Sequence, residues 1–288
     1  MDQYDKNLEA FGFKPEITSV DDALNLHKQM VRLEFKLVIG DPYAMPHYRG
    51  EQRFGWDISS GLFRIQKMVK DPIGARLLEK KAMVEFESVI KANFGGQALR
   101  TLFDSENHGK DWDLLFQAQH AGVKTSLLDW SPEMLTGLYF CTEESNDPAI
   151  ENSDGQLWVY VVPFDQIKAH NEFPVKDTFY DQDPQTLGTG LLINNSIYLD
   201  SIDKRPFETR MFHQKGRFFI SSADQCHVPL NKQADIIRTL FRFTVPAKFK
   251  SIIRTDLTER RITREYFYGK ENEDAKKLIH AINAKIYN

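Results

Sequence analysis

Two clusters of polar side chains in this chain have the types and spacing that suit recognition of an anionic ligand and transfer of a proton. The first is Tyr48-Arg49-Gly50-Glu51-Gln52. A guanidinium follows an aromatic ring at an expected strand end, and the glycine permits close backbone approach or a positive φ. An arginine so placed can present its planar fork of N–H donors to a phosphate or a carboxylate. The second cluster runs Phe116-Gln117-Ala118-Gln119-His120-Ala121-Gly122-Val123-Lys124-Thr125-Ser126-Leu127-Leu128-Asp129-Trp130-Ser131. There a helix ending in Gln-His-x-Gly precedes a short strand ending in Asp-Trp, which gathers amide, imidazole and carboxylate groups at element ends. Imidazole and carboxylate are the groups that general acid–base chemistry uses.

The elements that must position these residues follow from periodicity and punctuation. Thr18 and Ser19 precede a helical stripe of Val20, Ala23, Leu24, Val31, Phe35 and Val38, with Gly40 and Pro42 as its stop signal. The stretch from Tyr43 to Phe63 reads as a strand followed by a structured loop. Asp71-Pro72 opens a second helix that runs through Leu78, Ala82, Phe86 and Ile90 to Gly95. Asp111-Trp112-Asp113 opens a third, with Gly122 as its carboxy-terminal cap. A short strand is expected at Thr125 to Leu128, and Ser131-Pro132-Glu133 has the cap, proline and early acid of another helix start. Leu157 to Val162 and Thr239 to Val245 read as strands, and Asp274 to Ile286 as a closing helix. The expected architecture is α+β, a mixed or antiparallel sheet with flanking helices. A helical amino-terminal portion over 1–42 precedes one α+β domain over 43–288.

These stretches together resemble the FRG family, which takes its name from a Phe-Arg-Gly signature and carries a later Ala-Gln-His-x-Gly-x-Pro-Thr-Arg-Leu-Leu-Asp-Trp run. Here Tyr48-Arg49-Gly50 matches the first, and Ala118-Gln119-His120-x-Gly122 with Thr125-x-Leu127-Leu128-Asp129-Trp130 matches the second, in the same order. A third family pattern, Arg-x-x-x-Gln-x-Gly-x-Phe, is met by Arg210, Gln214, Gly216 and Phe218. The sequence departs from the family in Tyr48 for Phe, Lys124 for Pro and Ser126 for the Arg before Leu-Leu-Asp-Trp. The resemblance implies a domain of bacterial and phage defence or toxin contexts.

Each of these residues has a structural reading beside the functional one. Arg49 either pairs with Glu51 or Asp129, or holds a ligand. His120 is a satisfied core or cap residue, or a catalytic one. Asp129 caps the following helix or orients the histidine. Trp130 is core or a stacking platform, and Arg210 and Gln214 bind a ligand or brace a loop. The basic run at Arg260, Arg261 and Arg264 alternates with Glu259 and Glu265 and reads as a solvated face.

The functional expectation is a nucleotide pocket. Arg49 and Arg210 would grip phosphates, with Gly50 allowing close approach. Gln52, Gln119 and Gln214 would hydrogen-bond a ribose or base, and Trp130 would line the pocket. His120, Asp129 or Glu208 would move a proton. An aromatic-Arg-Gly strand opening also occurs in the Arg-Ser-Glu class of ADP-ribosyltransferases. NAD is therefore the leading cofactor expectation, with NAD-dependent ADP-ribosyl transfer or NAD cleavage as the reaction. The alternative is a non-catalytic module that senses a nucleotide or binds a partner protein.

Composition narrows the classes. The 288 residues are 41% hydrophobic and 12% aromatic, enough for a substantial core, which excludes a wholly disordered or collagen-like chain. With 37 basic and 41 acidic side chains the net charge is −4, so a generic nucleic-acid binder is not expected. The longest apolar run, Leu157 to Val162, is far below the roughly 20 residues of a membrane-spanning helix. The polar start Met1-Asp2-Gln3-Tyr4-Asp5-Lys6 lacks the features of a secretory signal, so a cytoplasmic location and no membrane partner are expected. Cys141 and Cys226 have no metal-ligand spacing and read as reduced thiols, with no metal site. Walker A, Gly-x-Gly-x-x-Gly, His-Glu-x-x-His and Gly-x-Ser-x-Gly motifs are absent, which disfavours the corresponding ATPases, dehydrogenases, metalloproteases and hydrolases.

Overall fold

Three segments pair into an antiparallel sheet: β1 (Met45–Glu51), and β3 (Gly155–Val162) and β6 (Leu240–Val245), both rich in aromatic and β-branched residues, with β3 in the middle. The register sets Arg49 opposite Trp158 and Gly50 opposite Leu157. Every residue of β3 is buried, which is why Leu157 to Val162 is an unbroken apolar run and not an alternation; the buried Gln156 before it donates its side-chain amide to the Trp56 carbonyl at 2.6 Å. The computed structural model describes residues 2–32, 45–95, 99, 110–162, 167–168, 191–194, 213–221, 225–269 and 273–288. The chain divides into two compact units, each built from three stretches. The first takes Met1–Ile58, Asp129–Ile167 and Leu230–Phe267; the second takes Ser59–Leu128, Lys168–Pro229 and Tyr268–Asn288. The architecture is α+β with helices at the amino terminus, as the periodicity predicts.

The sheet belongs to the first unit, with α1 (Gln3–Ala10), α2 (Val20–Arg32), α5 (Met134–Thr142) and α6 (Ala247–Glu259). Asp2 and Asp5 form a capping box at the start of α1. The helix is then tied down by Asn7, whose Nδ2 donates to the Leu240 carbonyl at 2.7 Å. Phe11 and Phe13 pack edge-on against Phe241 of β6. Helix α5 crosses β1 at contact distance because glycines meet there. A Cβ on Gly50 would lie 2.1 Å from the Gly137 carbonyl oxygen, and one on Gly137 would lie 2.9 Å from the Tyr48 Cβ. Lys250 of α6 is buried, its ammonium donating to the carbonyls of Gln52 at 2.7 Å and Ile150 at 3.2 Å.

The second unit packs α3 (Pro72–Phe94), α4 (Lys110–Ala121) and α7 (Glu273–Tyr287) with the strand pair β4 (Leu191–Asn194) and β5 (Arg217–Ile220). Its core includes Ala82, Phe86, Ile90, Phe116 and Ile279, and Phe116 stacks on Phe218 with centroids 4.5 Å apart. The expected caps of α3 are present. The Asp71 carboxylate accepts from the Gly74 amide at 2.9 Å, Pro72 takes the first turn, and Gly95 ends the helix. Gly122 turns the chain out of α4 at φ 101°.

Two expectations are corrected. The strand read at Thr125 to Leu128 lies further on, as β2 (Leu128–Trp130), where the chain passes from the second unit into the first. The helix read from Ser131 starts at Met134 with Glu133 as its cap residue, because the Ser131 hydroxyl instead accepts from the Glu133 amide in a tight turn. The continuation of α2 to Val38 lies outside the described residues. Cys141 is a free, buried thiol and Cys226 a free, half-buried one. Among the described residues no helix is long and apolar enough to cross a membrane.

Candidate functional site

In the first unit the Tyr-Arg-Gly stretch is woven into its surroundings atom by atom. Tyr48 and Ser131 exchange backbone hydrogen bonds at 2.7 and 3.0 Å, which joins β1 to the Asp-Trp-Ser segment. Alternation along β1 puts Arg49 and Glu51 on one face. Arg49 Nε and Nη2 both reach Glu51 Oε1 at 2.8 Å, and its Nη1 donates to the Asp129 carbonyl at 2.7 Å. The pair is largely shielded, with side-chain exposures of 13% for Arg49 and 6% for Glu51. Gln52 uses its Nε2 to hold the Glu143 carbonyl at 2.9 Å, at the end of α5. Trp130 is buried and its ring meets that of Tyr160 at 5.6 Å.

Tyr48 adds a hydroxyl where the family has Phe. Its Oη lies 2.7 Å from His27 Nδ1, and burial, with the charge of Glu133, pushes the phenol well above its ordinary range.

In the second unit the end of α4 and the irregular run after it are linked in the same manner. Thr125, fully buried, donates its hydroxyl to Gln119 Oε1 and accepts from the Leu127 amide at 3.2 Å. His120 is buried with its ring edge-on to Phe218 at 5.1 Å. Gln214 is also buried, ahead of Lys215, which adopts a left-handed φ of 43° before β5. Burial holds the Arg217 guanidinium down at about 10.

Ser126, which replaces the family arginine, faces a carboxylate. Its amide donates to Glu79 Oε1 at 2.6 Å, and its Oγ lies 3.0 Å from both carboxylate oxygens. Glu79 is completely buried, and desolvation pushes it up to about 7 against the opposing pull of the Ser126 bonds and the Arg76 charge. A basic side chain at 126 would therefore be directed at Glu79. Sequence reasoning missed this acid, although a signal was present. Glu79 sits among Ala75, Ala82, Met83 and Phe86 on the buried stripe of α3, where an unpaired charge would not be placed.

Residues 45–149 match the model of the FRG domain. The chain carries an FRG domain. No curated protein and no solved structure matches it. The FRG domain draws on both units, with 45–58 and 129–149 in the first and 59–128 in the second.

Of the residues expected at the site, Arg49, Gly50, Gln52, Asp129 and Trp130 lie in the first unit, and Gln119, His120 and Gln214 in the second. The structure brings Arg49 to the backbone of Asp129. The Asp129 side chain does not cap α5, since Glu133 is the cap residue and no side chain caps its first turn. Gly50 serves close approach, not a positive φ. Glu208 and Arg210 lie outside the described residues.

Proposed function

We propose that this FRG domain works as a non-catalytic binding module for a partner protein, with its signature residues serving as the scaffold. The observation that carries the reading is the engagement of Arg49. A guanidinium that gives two N–H groups to a buried carboxylate and a third to a backbone carbonyl is a structural clasp, and removing it to grip a phosphate would strip Glu51 of that clasp. Gln52, Gln119 and Ser126 are each tied to internal partners in the same way. A partner surface is supported by α3, whose Ile73, Leu77 and Val84 share one face and stay exposed at 77%, 49% and 63%.

The catalytic reading has Arg49 on the pyrophosphate of NAD and His120, Asp129 or Glu208 moving the proton. The two readings separate in one experiment. The purified protein is incubated with NAD and free nicotinamide is measured, while NAD, ATP and ADP-ribose are titrated calorimetrically. No nicotinamide and no binding heat are expected. Nicotinamide release that disappears in a folded Arg49→Lys variant would overturn the proposal, because an ammonium cannot reproduce the guanidinium fork.

A further inference from the structure

A groove of about 600 Å³ runs between α2 and the Gly12–Thr18 segment, within the size range of ligand sites. We infer that it binds an extended peptide segment carrying a basic side chain. The inference uses residues 12–29, ahead of the FRG domain, and stands whether or not that domain binds a nucleotide.

The inner wall is an extended chain with one edge in use. The Thr244 amide donates to the Pro15 carbonyl at 2.8 Å and the Ile17 amide to the Thr244 carbonyl at 2.9 Å, which is a parallel bridge centred on Glu16. In that geometry the N–H and C=O of Glu16 itself point away from β6. Among the described residues neither has a partner. They form an open strand edge of the kind to which a peptide adds.

The outer wall is one stripe of α2. Asp22, Asn25 and Gln29 recur at helical spacing and line the groove. The side-chain amides of Asn25 and Gln29 have no partner among the described residues. Each offers a donor and an acceptor, the complement of a peptide group. Four residues of helix rise about 6 Å, and two residues of strand advance about 6.7 Å, so these amides match successive peptide groups along one edge of an extended chain. The floor is apolar, made by the buried Phe13, Ile17 and Leu26.

Charge selects the side chain. Glu16 and Asp22 face the groove against a single cation, Lys14. Asp22 takes both bonds from Thr18, from its amide at 3.1 Å and its hydroxyl at 2.6 Å, on Oδ2; the Ser19 side chain also bonds this carboxyl, which stays exposed and carries its charge at the groove. The Thr18 hydroxyl keeps this carboxyl below its ordinary range, so it is ionised at neutral pH.

The test titrates the 15N-labelled full chain with the blocked peptide acetyl-Thr-Val-Lys-Val-Thr-amide. Saturable shifts are expected at the Glu16 amide and at the side-chain amides of Asn25 and Gln29. Affinity should fall tenfold or more when Glu replaces the central Lys, when alternate peptide nitrogens are methylated, and in the Asn25→Ala, Gln29→Ala double variant, whose exposed positions leave the fold intact. Three results would overturn the inference: no shift at these groups, equal binding of the methylated peptide, or saturation of the groove by self-association without peptide.

Discussion

Glu79 provides the sharpest test of the second unit, because its buried carboxylate makes stability depend on pH in a direction opposite to ordinary acid denaturation. Its pKa rises from 4.5 to about 7 on folding, since burial disfavours the charge more than Ser126 and Arg76 restore it. Below about pH 4.5 the group is protonated in both states and imposes no penalty. Between 4.5 and 7 the unfolded chain releases the proton first, so the folded state loses relative stability as pH rises. The difference of about 2.5 in pKa, at about 1.36 kcal/mol per unit, corresponds to roughly 3 kcal/mol by pH 8.

Glu79→Gln removes this dependence while keeping an oxygen for the Ser126 amide. Urea unfolding followed by circular dichroism, at intervals from pH 4.5 to 8, should show wild type losing about 3 kcal/mol relative to the variant across that window. Native-state exchange of the Ser126 amide should report the same trend locally. A wild-type-minus-variant difference that stays flat, or that grows in favour of wild type with pH, would refute the reasoning. It would mean that Arg76 holds the carboxylate ionised despite its burial.

Gly50→Ala should lower stability by about 3 kcal/mol, read as a fall in Tm of about 10 °C, because the new methyl meets backbone atoms of Gly137 and Cys141 that no rotamer change can move. An unchanged Tm would mean that α5 is not seated on β1 at contact distance. Arg49→Ala should cost about 3 kcal/mol in denaturant unfolding, since the shielded Glu51 carboxylate loses its guanidinium. A variant of unchanged stability would return Arg49 to the role of a ligand-gripping side chain.

Local patterns in the sequence determine much of this protein. The α+β class, the run of β3, and the limits of α3 between Asp71 and Gly95 follow from periodicity, β-branched content and cap chemistry, which act over a few residues. The first two signatures, at 48–50 and 118–130, fall within the FRG domain match at 45–149; the third pattern, at Arg210 to Phe218, lies beyond it.

What each signature residue touches was decided by tertiary structure. Arg49 lies 80 positions from Asp129, and Ser126 lies 47 from Glu79; no local pattern states that a guanidinium will meet a carbonyl or that a serine will face a buried acid. Gly50 could have served a positive φ or a close approach, and only the passage of α5 over β1 decides between them. The turn at Ser131 illustrates the limit at short range too. Ser-Pro-Glu has the composition of a helix start, but the strand bridge from Tyr48 holds Ser131 in the sheet and delays the helix to Met134. Local propensity proposes such elements with energies near 1 kcal/mol, and packing against a distant strand overrides them because it orders many groups at once.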